Sequence, residues 1–475
     1  MSLLTRRNIF ATVVVILVAL SGAYPLALLF HGSIRWQIAA AMLAFGAGMA
    51  VWIMRDRFYP VLVVFTSSGL LIAVAAHMPW KSWSHAAFSR AQPKHIVWIL
   101  LDEQMGLAGF PVTPACSEAR DELRQVLTKY NFTIYPDAYS NYAGTIDSVP
   151  SILNERLLRY PHELIDRTGQ GNLRQYRIRG NRTFTGFAAE GYRVVAYQYA
   201  SLQFCQPYVA SAECHNYTLS LSNLHQAPGN WRDRFRWLVG NYQASDPVRS
   251  YTRGFFFFRL GVRMPGPLGV SEIWPDHLAA DILSRDRPIF FFAHLLTPHS
   301  PYLYRSDGSV RDLHEWSDDR ADERVNAAEY QDRYRRYCEQ VQYVSSQLDR
   351  FLGTLRTHGR LDQMTVVVHG DHGSRIRLNL DASAQAPEYE DAETLDKGED
   401  TDGRDLMNHF SALLAIKPAG AEKPRISNER HSILTLLDRD LFRQNPADGT
   451  AQTDLVYLID PQRQYRPVQI AKYWR

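Results

Sequence analysis

Two apolar runs far apart in this chain end in side chains that bind metals. Ile96-Val97-Trp98-Ile99-Leu100-Leu101 stops at Asp102-Glu103, and Met364-Thr365-Val366-Val367-Val368 leads to Asp371-His372-Gly373. A buried strand has no cheap use for adjacent ionisable groups at its end, whereas a parallel α/β sheet carries its functional residues at the carboxyl ends of its strands. The pairing points to one divalent cation held from both ends of the sequence. Mixed carboxylate and imidazole ligation favours Zn²⁺ or Mn²⁺ over Ca²⁺ or Mg²⁺.

A third group is Ala143-Gly144-Thr145-Ile146-Asp147-Ser148-Val149-Pro150-Ser151, lying between an extended segment at 131–142 and a helix-like stretch at 151–158. Gly144 allows a tight turn, and a hydroxyl near a helix N-terminus sits among oriented backbone N–H groups that stabilise an anion. Such a position suits a nucleophile attacking a phosphate. Thr, Ser and Asp are also ordinary helix caps. The strand-like Ile289-Phe290-Phe291-Phe292 runs into His294 and His299, and Met407-Asn408-His409-Phe410 is expected to open the last strand. One histidine at a strand end is most often structural. Two of them, beside Asp-Glu and Asp-His at other strand ends, form a constellation.

The elements that must position these residues alternate. Strands are predicted at 95–101, 132–136, 193–199, 288–294, 364–369 and 410–416, and helices at 117–130, 276–283 and 325–357. The last helix carries Tyr330, Tyr337, Val341, Val344, Leu348 and Leu352 near one face. Alternation of this kind argues for an α/β sheet. Residues 200–270, rich in aromatics, Gly and Pro, read as an insertion or substrate-side cap, and 385–405 reads as an acidic surface loop.

With 475 residues, 46% apolar and 21% charged, the chain can bury a sizeable core, and its net charge of +3 gives no case for nucleic acid. Three charge-free apolar runs, at 8–30, 36–54 and 58–77, are each able to cross a ~30 Å hydrocarbon layer as a helix. They define an anchor at 1–80, a linker at 81–93 and a catalytic domain at 94–475. Basic residues at Arg6, Arg7, Arg55 and Arg57 predict a cytoplasmic N-terminus and an extracytoplasmic catalytic domain. The competing reading is a cleaved signal peptide around Arg6-Arg7. Of four cysteines, Cys205 and Cys214 flank a short loop and are the expected disulfide, while Cys338 is expected either in the core or in another role.

Taken together and in this order, the motifs resemble the alkaline phosphatase/sulfatase superfamily, in particular its membrane-anchored phosphoethanolamine transferases and lipoteichoic-acid-synthase-like phosphoglycerol transferases. The resemblance implies a three-helix transmembrane anchor followed by a sulfatase-like α/β sandwich with a central mixed, mostly parallel sheet. It implies Thr145 as the nucleophile and a metal ligand, with Asp371, His372 and either Asp102 or Glu103 completing the metal set. His299 and His409 would bind substrate and transfer protons, and His294 and Ser148 would line the substrate. By the same resemblance the donor is a phospholipid and the acceptor a periplasmic or extracytoplasmic glycan or glycolipid, at the bacterial inner membrane. The chain departs from the phosphoethanolamine branch in lacking cysteines around the Thr145 turn, which leaves phosphoglycerol open. It departs from formylglycine sulfatases because Ile152 stands where Ser148-Val149-Pro150-Ser151 should be followed by Arg. A hydrolase using the same metal site and a non-catalytic membrane sensor on the same fold are the competing functions.

Overall fold

Strand formation follows the apolar runs. The computed structural model describes residues 95–168, 175–205, 212–217, 269–312 apart from 272, 315, 327–374, 376, 403–442, 454–459 and 462–470. The runs at 8–30, 36–54 and 58–77, the linker at 81–93 and most of 206–268 and 377–402 lie outside them. Among the described residues no helix is long and apolar enough to cross a membrane.

In chain order the strands are β1 (His95–Leu101), β2 (Thr133–Ile134), β3 (Ile165–Thr168), β4 (Gln175–Ile178), β5 (Arg193–Tyr199), β6 (Leu202–Gln203), β7 (Glu213–Tyr217), β8 (Ile289–Leu295), β9 (Met364–Gly370), β10 (Leu414–Lys417), β11 (Arg425–Ile426), β12 (Leu455–Ile459) and β13 (Tyr465–Gln469). The helices are α1 (Pro114–Lys129), α2 (Thr145–Leu153), α3 (Arg182–Ala189), α4 (Asp276–Leu283), α5 (Ala327–Thr357), α6 (Gly403–Phe410) and α7 (Ile433–Leu437). Eight strands form one sheet in the order β11-β2-β10-β9-β1-β8-β5-β7. β1 pairs in parallel with both β8 and β9, and β8 with β5; only β10 runs against its neighbours β9 and β2. The expected mixed, mostly parallel sheet is therefore present.

The sheet is covered on both sides, which is why its central strands are apolar without alternation. Phe290 and Phe292 meet Phe184 and Phe187 of α3 on one face. Phe291 packs on Tyr197, which reaches His277 of α4, on the other. On α5, Tyr334, Tyr337, Cys338, Val341, Val344, Leu348, Phe351, Leu352 and Leu355 are all buried, the i, i+3, i+4 stripe of a helix lying on a sheet. Each such side chain contributes about 1.5–3 kcal/mol by leaving water.

Four expectations need correction. Helix α1 begins at Pro114, three residues before the predicted 117, because Thr113 caps it through a bond from Cys116 N and Pro114 fits the first turn. Residues 403–410 are helical and the last strand starts only at Leu414, since Leu406 and Phe410, four apart, pack against Tyr139, Val456 and Leu458. The start of the expected cap is not a cap: β7 is an edge strand of the main sheet, paired in parallel with β5. Cys338 is buried but paired, in a disulfide with Cys116 that ties α5 to α1 across 222 residues. The expected Cys205–Cys214 bridge is also present, closing 9 residues.

The two bridges predict different stability effects. Chain-entropy reasoning gives about 5 kcal/mol for a loop as long as that closed by Cys116–Cys338 and about 2.5 kcal/mol for the short one. Urea unfolding of the Cys116→Ala/Cys338→Ala and Cys205→Ala/Cys214→Ala double variants should show the larger loss for the former.

Candidate active site

The carboxyl ends of β1 and β9 lie side by side, and the two strands deliver their terminal acids to one point. The Asp102 and Asp371 carboxylates and the His372 imidazole offer ligand atoms all within 4.8 Å of one another, and all three residues are fully buried. His372 Nε2 stands 3.7 Å from Asp102 Oδ1 and 3.3 Å from Asp371 Oδ2. Its other nitrogen, Nδ1, lies 2.8 Å from Gly373 O. A carbonyl only accepts, so Nδ1 carries a proton and Nε2 is left as the nitrogen that faces the acids, the arrangement that orients a histidine for metal ligation.

Thr145 joins this trio from a different part of the chain. It is the first residue of α2, with Gly144 as the N-cap, so the helix begins at the hydroxyl itself rather than at the predicted 151. Its Oγ1 lies 3.4 and 3.5 Å from the two Asp102 oxygens and 3.3 Å from His372 Nε2. The positive end of α2 therefore stands beside the hydroxyl, where it favours negative charge on that oxygen or on a bound phosphate.

Close backbone approach fixes the loop that carries Asp371 and His372. A Cβ on Gly370 would stand 2.1 Å from Gln104 O, and one on Gly373 would stand 2.0 Å from Asn408 O. Only glycine fits at either end of the Asp371-His372 pair. Across the β1 loop, Tyr337 of α5 donates to Glu103 O and accepts from Met105 N, both at 2.9 Å.

The surroundings shift the two acids in opposite directions. Burial alone would raise Asp102, but His299, His294 and His372 together outweigh it and hold the carboxyl far below its ordinary range. Asp371 is pushed up, first by burial and then by the charge on Asp102. Asp371 Oδ1 accepts from the amides of Glu103 and His372, each at 3.0 Å. Its Oδ2 is buried with no donor in hydrogen-bonding geometry. A buried carboxylate oxygen without a donor, next to a second carboxylate, an aimed imidazole lone pair and a hydroxyl, is a donor set that fits a divalent cation.

The remaining sequence-predicted residues divide. His294 Nε2 binds Asp102 Oδ2 at 3.0 Å, so this histidine orients the acid. Glu103 turns away from the trio: its backbone is left-handed at φ 64°, and its carboxylate accepts from Ser300 N at 3.0 Å and faces His299 Nε2 at 3.5 Å. Asp102 thus occupies the position for which both acids were nominated. The Ser148 hydroxyl is committed to structure, 2.7 Å from Asp371 O and 2.9 Å from Ser140 Oγ. His409 is buried at the end of α6, and its carbonyl accepts from Gly373 N at 2.9 Å. The sequence offers Tyr337 on an apolar helix face and at the start of the run to Gly373 that carries the family resemblance, and gives no sign of Ser140. The bonds of Tyr337 to the β1 loop carry no local signal, because they join residues more than 230 apart; the Ser140 hydroxyl bonds locally, to Tyr142 O and Ser148 Oγ.

The sulfatase family profile matches residues 94–394. No curated protein matches the chain. Among solved structures, the chain is similar to the C-terminal periplasmic domain of EptC from Escherichia coli, with 12% identity, 80% of this chain and 93% of that one covered, and a TM-score of 0.45. It is also similar to the lipoteichoic acid synthase LtaP from Listeria monocytogenes, at 14% identity, 78% of each chain and 0.40. A third is the phosphonate monoester hydrolase of Agrobacterium radiobacter, at 13% identity, 77% and 80% of the two chains, and 0.41.

The opposed shifts of the acids predict how charge removal acts. Asp371 has a native pKa above its unfolded one, so in the metal-free protein stability falls as pH rises from the unfolded value through the raised native one. Asp371→Asn keeps an acceptor for the Glu103 and His372 amides while removing the charge. It should raise the Tm of the metal-free protein by a few degrees at neutral pH and abolish tight zinc binding, as read by calorimetric titration. A lower metal-free Tm would show that the carboxylates do not oppose folding.

Proposed function

The chain belongs to the sulfatase family, and from that premise we propose that it is a metal-dependent phosphotransferase whose nucleophile is Thr145. The observation that carries the reading is the Thr145 hydroxyl, at the start of α2 and within 3.5 Å of both Asp102 and His372. A threonine hydroxyl is a weak nucleophile near neutral pH and needs activation. Zn²⁺, or Mn²⁺ as second choice, held by Asp102, Asp371, His372 and Thr145, would supply the charge that lowers the pKa of that hydroxyl and offsets the charge on phosphate oxygens.

The chain's own residues account for the rest. Thr145 Oγ1, its proton released to solvent as the hydroxyl ionises, attacks phosphorus of a phospholipid head group. A Thr145–phosphate ester bond forms as the bond to the diacylglycerol oxygen breaks. The departing alkoxide takes a proton from His299 or His409, and in the second displacement the same histidine takes the proton of the acceptor hydroxyl, whose oxygen bonds to phosphorus as the bond to Thr145 Oγ1 breaks. His294 keeps Asp102 oriented, and Glu103 holds His299 and the Ser300 amide in place. The head group is phosphoethanolamine or phosphoglycerol and the acceptor a glycan or glycolipid outside the cytoplasm. The three charge-free apolar runs before residue 80 support placement of this chemistry at a membrane surface.

Formylglycine-type sulfate hydrolysis is disfavoured. Thr145 cannot be converted to formylglycine, and the Ser148 hydroxyl is committed to Asp371 O and Ser140 Oγ.

Full-length protein in native lipids, quenched and analysed by peptide mass spectrometry, should carry a head-group phosphate on the peptide containing Thr145. Thr145→Ala should lose this adduct and at least about 10³-fold in turnover, while Thr145→Ser retains part of both. Free phospho-alcohol with no modified acceptor would make the protein a hydrolase, and absence of any adduct in the wild type would remove Thr145 as nucleophile.

A further inference from the structure

The segment leading to Thr145 has almost no regular structure of its own, yet it is buried and bonded along its length. Ser140 N donates to Phe410 O at 2.8 Å and Tyr139 N to His431 O at 3.3 Å. Tyr139 O accepts from Ile433 N at 2.8 Å. Asn141 is held twice by β12, through Tyr457 N to Asn141 O at 2.9 Å and Asn141 Nδ2 to Leu455 O at 2.8 Å. Tyr142, three residues before the nucleophile, stacks on Tyr457 with ring centroids 5.4 Å apart and planes 19° from parallel. Tyr465 of β13 packs against both, at 5.2 Å from Tyr142 and 5.6 Å from Tyr457.

Behind the three rings, Tyr139, Leu406, Phe410, Val456, Leu458 and Ile470 form a separate apolar cluster. It joins the strap, α6 and the β12–β13 hairpin without passing through the sheet. Among the described residues the hairpin pairs with itself and with the strap, since β12 and β13 form their own two-stranded sheet. It also lies beyond the residues that the family profile matches.

We propose that the β12–β13 hairpin is a clamp on the nucleophile strap and that Tyr457 and Tyr465 are positioning residues for Thr145. The inference rests on Thr145 being the nucleophile. The strand end at Asp371 reaches α2 through Ser148 Oγ, which donates to Asp371 O at 2.7 Å, but the strap before Thr145 belongs to no strand of the main sheet and needs a further constraint. The tyrosine packing supplies that constraint. A misplacement near 1 Å at a reacting atom costs about 10²-fold in rate.

The test uses the full chain with zinc and compares Tyr457→Ala, Tyr465→Ala and Tyr457→Phe with the wild type. Hydrogen exchange of the peptide spanning 139–144 should accelerate at least tenfold in the two alanine variants and stay near wild type in the phenylalanine one. Zinc bound per chain at saturating zinc should be unchanged, because three of the four proposed ligands are held by strand ends and only Thr145 is displaced. The rate of phospho-Thr145 formation should fall 10- to 100-fold with KM little altered, and recover in Tyr457→Phe. Should Tyr457→Ala fail to fold, Tyr465→Ala, which leaves every backbone bond to the strap intact, decides the matter. Unaltered strap exchange in the alanine variants, or zinc lost in parallel with activity, overturns the proposal. A wild type without any adduct defeats the reading of Thr145, and the exchange data still decide whether the hairpin clamps the strap.

Discussion

Two carboxylates buried at the ends of adjacent parallel strands repel one another in a setting with little water to screen them. Asp102 and Asp371 are in that position with no exposed surface, and burying an ion costs several kcal/mol even after a protein relaxes around it. The surroundings answer this unequally. Asp102 has histidines on its flanks, led by His299 and His294, and stays ionised, while Asp371 has two amides on one oxygen and none on the other. Asp371 Oδ2 is left without a hydrogen-bond donor, with His372 Nε2 at 3.3 Å beside it. A divalent cation relieves that cost directly, so metal affinity and fold stability are linked through this atom.

The rest of the architecture follows from keeping the two acids together despite their repulsion. β1 lies between β8 and β9, so the same strand places Asp102 beside His294 on one side and Asp371 on the other. Parallel pairing matters here, because it brings all three carboxyl ends to one edge. Gly370 and Gly373 let the Asp371-His372 loop sit against the backbone of Gln104 and Asn408 at distances no side chain allows. Tyr337 then ties the β1 loop to α5, and the Cys116–Cys338 bridge ties that helix to α1. The two short loops are thus packed against each other, against Asn408 of α6 and against Tyr337 of α5.

What was legible in the sequence is what arises locally. Apolar runs ending in Asp102 and Asp371-His372 announced both the central strands and the acids at their ends, since a fully buried strand shows no alternation and its polar terminus stands out. Thr145 is legible through the glycine turn before it, although the helix predicted from 151 begins six residues earlier, at the hydroxyl itself. The choice between Asp102 and Glu103 was not legible. It turns on the left-handed backbone at Glu103, which aims two adjacent side chains at different partners, and nothing in the residue types foretells it. The Cys116 pairing and the Tyr142–Tyr457–Tyr465 packing were hidden for another reason: both join segments more than 200 residues apart, where periodicity carries no information. The helix at 403–410 was missed because Asn408 and His409 suggested a strand-end motif, while the Leu406–Phe410 spacing that buries one face is short.

Burial across the site is graded, and the gradient gives it a direction. Asp102, Asp371 and His372 are 0% exposed, Thr145 is 9% exposed, and the side chain of His299 is 14% exposed. The partly open groups are the hydroxyl that would attack and the histidine that would carry a proton, while the acids lie beneath them. The helix start of α2 lies behind the hydroxyl, so a substrate of the proposed kind would meet Thr145 and His299 first. On that reading an anionic phosphate would reach the hydroxyl ahead of the buried carboxylates. The same geometry that makes the acids costly to bury keeps them out of the path of a substrate of like charge. Positive potential there comes from the α2 terminus, and a cation held by Asp102, Asp371 and His372 would add to it, placing attracting charge ahead of the repelling one.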